Sequence, residues 1–122
     1  MSDEDLVEMK NPPKAIDRLV DSNTKGMLWI YILRLLQERP HYGYEIKELV
    51  TERFGFSPAT VSGYAIIYRL KRDGLIEEQE GNESTRKYYG ITNRGSQAMK
   101  EAKRFFQMTL ETVFDMTSLD EE

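Results

Sequence analysis

Apolar positions along the chain fall into runs with two different periods. "TKGMLWIYILRLLQE" carries Met27, Leu28, Ile30, Tyr31, Ile32, Leu35 and Leu36, a helix apolar around most of its circumference and therefore buried from several sides. Before it, "KAIDRLVDSN" sets Ile16, Leu19 and Val20 on one face of a short helix, and Pro40 closes the long apolar run. "YGYEIKELVTERFG" brings Tyr42, Ile46, Leu49, Val50 and Phe54 back at helical spacing, with Gly55 placed to end it. Ser57-Pro58 then reads as an N-cap followed by a first-turn proline, opening a helix that runs to Asp73 and stops at Gly74. From Leu75 the period shortens. Leu75–Glu80 and Thr85–Ile91 read as two strands joined by the polar tip "GNES", with Tyr89 and Ile91 facing inward and Tyr88 outward. Thr92 caps a last helix reaching about Met116.

Helix, helix, helix, hairpin and long helix make a mainly α chain with a small β-hairpin. Two helices joined by a short Gly-containing turn and followed by a hairpin are the order of a winged helix-turn-helix. The expected organisation is an acidic leader over 1–13, a winged domain over 14–91, a dimerisation helix over 92–117 and an acidic tail over 118–122. The last helix supports the dimer. Met99, Ala102, Phe106, Thr109, Val113 and Met116 recur in steps of three and four, and Phe105, Leu110 and Phe114 widen that stripe. Packing against the first helix of the same chain is the competing use of these residues.

Charge changes the picture less than it first suggests. The net charge is −4, yet Asp3, Glu4, Asp5, Glu8, Glu111, Asp115, Asp120, Glu121 and Glu122 sit at the two ends. Without them the chain holds 17 basic against 12 acidic residues, so its body is cationic. The helix after Ser57 shows where. In a winged helix-turn-helix its entry turns meet base edges in the major groove, and here Ala59, Thr60, Ser62, Gly63 and Tyr64 are small, polar or amphipathic. Ile66, Ile67 and Leu70 would anchor it, and Arg69, Lys71 and Arg72 would reach flanking phosphates. Ser84, Thr85, Arg86 and Lys87 bring hydroxyls and positive charge to the hairpin tip. The expected DNA face further includes Tyr42, Lys47, Ser57, Tyr68 and Tyr88. Against this stand Glu77, Glu78, Glu80 and Glu83, which keep open a protein-binding adaptor of the same fold.

Other chemistry is thinly supported. There are no cysteines and one histidine, His41, which reads as a packing or helix-entry residue rather than a metal ligand. No nucleophile–base pair, phosphate loop or cofactor fingerprint is present, so neither an enzyme nor a cofactor is expected. No apolar run approaches the roughly 20 residues of a membrane span, and the acidic start lacks signal-peptide character, so a cytoplasmic location is the expectation.

"RPHYGYEIKELV", "YAIIYRLKRDGLIEE" and "RKYYGITNRG" together resemble the PadR family of winged-helix transcriptional regulators, from about Lys25 through Gly95. The resemblance sets Tyr42, Gly43, Tyr44 and Glu45 at the family's Gly-Tyr-Glu segment. It sets Tyr64 at the recognition-helix tyrosine, and Tyr88, Tyr89 and Thr92 at the wing motif. Where the family often reads Gly-Thr-Leu-Tyr-Pro, this chain has Val61-Ser62-Gly63-Tyr64-Ala65, a departure on the expected base-reading surface. The resemblance implies a dimer of the short-tailed type, held by its C-terminal helix; such a dimer would read two half-sites, so a homodimeric repressor on a palindromic operator is the expectation. The resemblance also raises a small hydrophobic effector, for which Trp29, Phe105, Phe106 and Met108 are the candidate lining; the same residues also read as core.

Overall fold

The computed structural model describes residues 10–81 and 86–116. Its elements are α1 (Lys14–Ser22), a 3-10 turn (Lys25–Met27), α2 (Leu28–Glu38), β1 (His41–Tyr42), α3 (Gly43–Phe54), α4 (Thr60–Arg72), β2 (Ile76–Gln79), β3 (Tyr88–Ile91) and α5 (Asn93–Val113). The fold is mostly helical with one small antiparallel sheet, ordered β1-β3-β2. This is a winged helix-turn-helix followed by a long C-terminal helix.

Helix α2 is the centre of the core. Ile32, Leu33, Leu35 and Leu36 are fully buried and meet Ile46 and Val50 of α3, Ile67 and Leu70 of α4, and Ile76 and Tyr89 of the wing. Tyr31 adds edge-on contacts to Phe54 and Phe56, with ring centroids 5.1 and 4.9 Å away, and its hydroxyl donates to the Asn23 carbonyl at 2.6 Å. Burial raises the Tyr31 pKa, because the phenolate would lose its hydration there. At the far end of α2, Glu38 accepts both guanidinium nitrogens of Arg53 at 2.7 and 2.8 Å, tying the end of α2 to the end of α3.

The helix ends follow their glycines. Gly55 (φ 81°) closes α3 and donates to the Thr51 carbonyl at 3.1 Å. Gly74 (φ 78°) donates to Lys71 O at 3.0 Å and Leu75 N to Leu70 O at 2.9 Å, the paired bonds of a Schellman motif ending α4.

Three boundaries differ from the sequence reading. The wing has a third strand: after Pro40 the chain stays extended, and His41 and Tyr42 pair with Tyr89 and Tyr88 before α3 begins at Gly43. Second, α4 starts at Thr60 rather than at Ser57-Pro58. Pro58 is buried before the helix, and Ala59 takes the extended N-cap conformation (φ −65°, ψ 145°). Third, α5 ends at Val113, where the Leu110 carbonyl is taken by the Met116 N–H at 3.0 Å. Among the described residues, no helix is long and apolar enough to cross a membrane, and no group of three or more His, Asp or Glu residues is placed to hold a metal ion.

Candidate nucleic-acid interface

The wing is fixed to the helix pair from both ends. At β1, Glu45 accepts the Tyr42 N–H at 2.9 Å and lies 3.2 Å from the His41 Nδ1, so one carboxylate holds the strand against the first turn of α3. His41 is only 4% exposed, a packing position in β1. Gly43 N–H donates to the Lys87 carbonyl at 3.1 Å, and a Cβ on Gly43 would stand 3.2 Å from the Tyr89 ring. At the other end Thr92 donates to the Gly74 carbonyl at 2.6 Å and accepts the Gly95 N–H at 3.0 Å. The segment "ITNRG" thereby caps α5 and closes the turn after α4 in one stroke.

Between α4 and the wing runs a groove of about 370 Å³. Tyr64, Tyr68 and Lys71, spaced by four and three residues, share one edge of α4 and line it. Arg86, Lys87 and Tyr89 line the opposite wall, and Tyr44 and Gly43 its end. Tyr64 is 53% and Tyr68 66% exposed, while Tyr89 is only 7% exposed and belongs to the core. Burial is the main reason the Tyr89 pKa is raised. The Arg86 guanidinium lies 4.3 Å above the Tyr44 ring, a cation–π contact that gives the wing cation a fixed place. Tyr42 stands between Tyr44 and Tyr88, at 5.9 and 4.7 Å between ring centroids, and packs so close to Gly81 that a Cβ there would fall 2.7 Å from its hydroxyl.

The expected DNA-facing residues therefore divide. Tyr64, Tyr68, Lys71, Arg86 and Lys87 share the groove. Ser62 and Arg69, two turns apart, lie on the other edge of α4; both are exposed, and Arg69 borders a separate cavity of about 260 Å³ beside Trp29, with Ile66, Leu70, Asp73, Leu75 and Ala98. Arg72 is exposed, with its Nε 3.4 Å from Asp73. Lys47 and Gly63 line a third cavity, behind the entry of α4, together with Tyr44 and Tyr64. Ser57 and Ala59 are exposed in the turn, and the Ser57 hydroxyl accepts from Thr51 at 3.3 Å. Ser84 and Thr85 lie outside the described residues, and of Thr60 only the backbone is described.

On α5, Met99 packs against the chain's own core, and Ala102, Phe106, Thr109 and Leu110 are half-buried. Phe105 (64% exposed), Phe114 (63% exposed), Met108 and Val113 stand open, with Phe105 edge-on to Phe106 at 5.5 Å. Phe105, Phe106 and Met108 are not among the residues lining the cavity beside Trp29.

Two residues named from the sequence make contacts not expected of them, Glu45 with β1 and Glu78 with Lys71. Glu45 follows Tyr42 by three residues, the spacing of a capping box, but tyrosine is not a usual N-cap residue. Glu78 is in phase with the buried Ile76, so strand alternation alone puts it on the α4 side of the wing.

Residues 32–101 match the family described as "Transcriptional regulator PadR-like family". An uncharacterized protein of Lysinibacillus sphaericus is 38% identical over 84 residues, 63% of this chain and 75% of its own length. A PadR-like transcription factor from Bacteroides fragilis superposes with a TM-score of 0.65 at 27% identity, over 81% of this chain and 98% of that one. A PadR family transcription regulator from hypervirulent Clostridium difficile gives 0.58 at 28% identity, over 71% and 97%. With the family match covering more than half of its length, this chain belongs to the PadR-like family of transcriptional regulators.

Proposed function

We propose that the chain is a homodimeric repressor whose α4 and wing bind a two-fold symmetric operator. It acts by occupying DNA rather than by catalysis. The observation that carries the reading is the groove itself: Tyr64, Tyr68 and Lys71 of α4 face Arg86 and Lys87 of the wing across one tyrosine-rich, cationic channel. Lysine and arginine there supply sequence-independent attraction to phosphates. The tyrosine hydroxyls and Ser62 supply polar groups at base edges and sugars.

The open apolar stripe on α5 supports the dimer. Phe105 and Phe114 are exposed large apolar side chains, and burying each contributes roughly 1.5–3 kcal/mol. A second chain paired along α5 would cover them and present two copies of α4 to one duplex. The test is selection of bound sequences from a randomised duplex library, followed by footprinting of the selected site. The reading expects two inverted half-sites about one helical turn apart, roughly 34 Å. A single unpaired half-site contradicts the dimer; no enrichment at all favours the adaptor, which the wing acids Glu77, Glu78 and Glu80 suit.

A small hydrophobic effector that releases the DNA is a second reading. It is supported by the cavity beside Trp29, which reaches the base of α4 at Ile66, Arg69 and Leu70. A ligand there would bear directly on the helix that meets DNA. Tryptophan quenching by planar hydrophobic dyes, with and without duplex, tests it.

A further inference from the structure

A carboxylate stands where an anion-binding surface has least use for one. In β2, Ile76 and Glu78 share a face, and Glu78 is opposite the buried Tyr89 in the register with β3. That face turns toward α4. Glu78 Oε2 accepts from Lys71 Nζ, in the last turn of α4, and lies 3.8 Å from Lys87 Nζ, beside β3. One oxygen thus sits between a cation of the helix and a cation of the wing. Hydrogen bonding to Lys71 lowers the Glu78 pKa, so the group is ionised at neutral pH. Both lysines also line the groove, with Arg86 beside them.

Two lysines converging on one anionic oxygen form the arrangement that a phosphodiester also satisfies. We propose that Lys71 and Lys87 form a phosphodiester subsite of the α4–wing groove, and that Glu78 is its internal occupant, displaced when duplex DNA docks. The inference rests on the reading of α4 and the wing as the DNA face. It assigns Glu78 two effects. The carboxylate keeps both ammonium groups gathered in the absence of DNA. Any duplex, whatever its sequence, must break that contact before its phosphate enters, so loose binding to arbitrary DNA is held down.

The experiment compares the full chain with Glu78→Gln, Glu77→Gln and the double variant Lys71→Ala with Glu78→Gln, titrating a labelled random-sequence duplex at several salt concentrations. Glu77 is the control: it is exposed and lies on the opposite face of the same strand, so it carries the same charge change without the contact. Glu78→Gln is expected to tighten binding about fivefold at low salt, the scale of one charge pair in contact in water. Glu77→Gln should change it less than about twofold, as a charge screened by solvent, and Lys71→Ala in the Glu78→Gln background should abolish the gain. Equal gains from the two glutamate variants would mean that net charge alone is at work and would overturn the proposal. A loss of affinity in Glu78→Gln would mean that gathering the lysines is all Glu78 does, with no competition against a phosphate, and would overturn its role as a displaced occupant. If the unaltered chain binds no duplex at any salt, the DNA reading itself has failed and the subsite falls with it. Unchanged thermal unfolding of each variant shows that the fold is intact.

Discussion

The Thr92 hydroxyl donates to the carbonyl of Gly74 at 2.6 Å across the turn that follows α4. The same oxygen accepts the Gly95 N–H at 3.0 Å, so the recognition helix, the wing and α5 are joined at one side chain. Thr92→Val keeps the shape and removes both bonds. Loss of a helix cap and of a half-buried hydrogen bond should cost about 1–2 kcal/mol, read from the urea midpoint at unchanged slope. A change of a few tenths or less would mean that the junction is held by packing alone.

Gly95 is the counterpart of that joint. A Cβ there would lie 2.2 Å from the Leu75 carbonyl oxygen and 2.7 Å from the Ile91 side chain. The first of these is backbone and cannot rotate away. Gly95→Ala should therefore destabilise by about 3 kcal/mol, at the upper end of overpacking costs, despite alanine's better helix propensity. Thermal unfolding checks it, and a neutral or stabilised variant would show that α5 shifts freely against the wing.

Acid should loosen the α2–α3 corner. The Arg53 hydrogen bonds, chiefly, lower the Glu38 pKa from 4.5 to about 2, with further help from the charges of Arg53 and Arg34. Because the folded pKa is depressed, the contribution is fully present above the unfolded value of 4.5 and is lost as pH falls toward about 2. The pair is solvent-exposed, so the effect is modest. The stability difference between the native chain and Glu38→Gln should shrink across that window, measured by urea unfolding at each pH. A constant difference would remove Glu38 from the acid response.

Wing and helix substitutions should separate two kinds of DNA contact. Arg86→Ala with Lys87→Ala should weaken every duplex and reduce the slope of log affinity against log salt by about 0.9 for each phosphate no longer neutralised. Tyr64→Phe or Ser62→Ala should instead alter preference among sites, on the order of 1–3 kcal/mol at the affected base pair. Anisotropy titrations on matched and mismatched duplexes distinguish them, and a uniform loss from Tyr64→Phe would remove it from base readout.

The proposed dimer face on α5 has its own test. Phe105→Glu or Phe114→Glu places a charge on the exposed stripe of α5, where the single chain tolerates it because both positions are open. Sedimentation equilibrium should show a shift to monomer, with weaker operator binding. An unchanged mass would locate the interface elsewhere.

Much of this architecture is visible in the chain, because its signals are local. Gly74, Thr92 and the inward pair Tyr89 and Ile91 act within a few residues of their own positions, and the structure places them as their neighbours dictate. Strand β1 is different. Two residues carry no period, and His41-Tyr42 becomes a strand only because β3 arrives beside it. Likewise Ser57-Pro58 has the composition of a helix start, but the backbone is still extended at Ala59 and the first helical residue is Thr60. The site shows the same limit. The basic end of α4 is plain in the sequence, whereas its division into an edge lining the wing groove and an edge beside Trp29 depends on where the wing and α5 pack. Alternation within β2 turns Glu78 toward α4, but its contact with Lys71 links two elements across the turn at Gly74 and depends on how they pack.

Binding to DNA is tested most directly by titrating labelled duplex from the gene's own upstream region, beside a scrambled duplex of equal composition, over a range of salt. Tight binding that prefers the upstream duplex and weakens steeply as salt rises is the expected result. Equal, negligible binding to both duplexes even at low salt would contradict it.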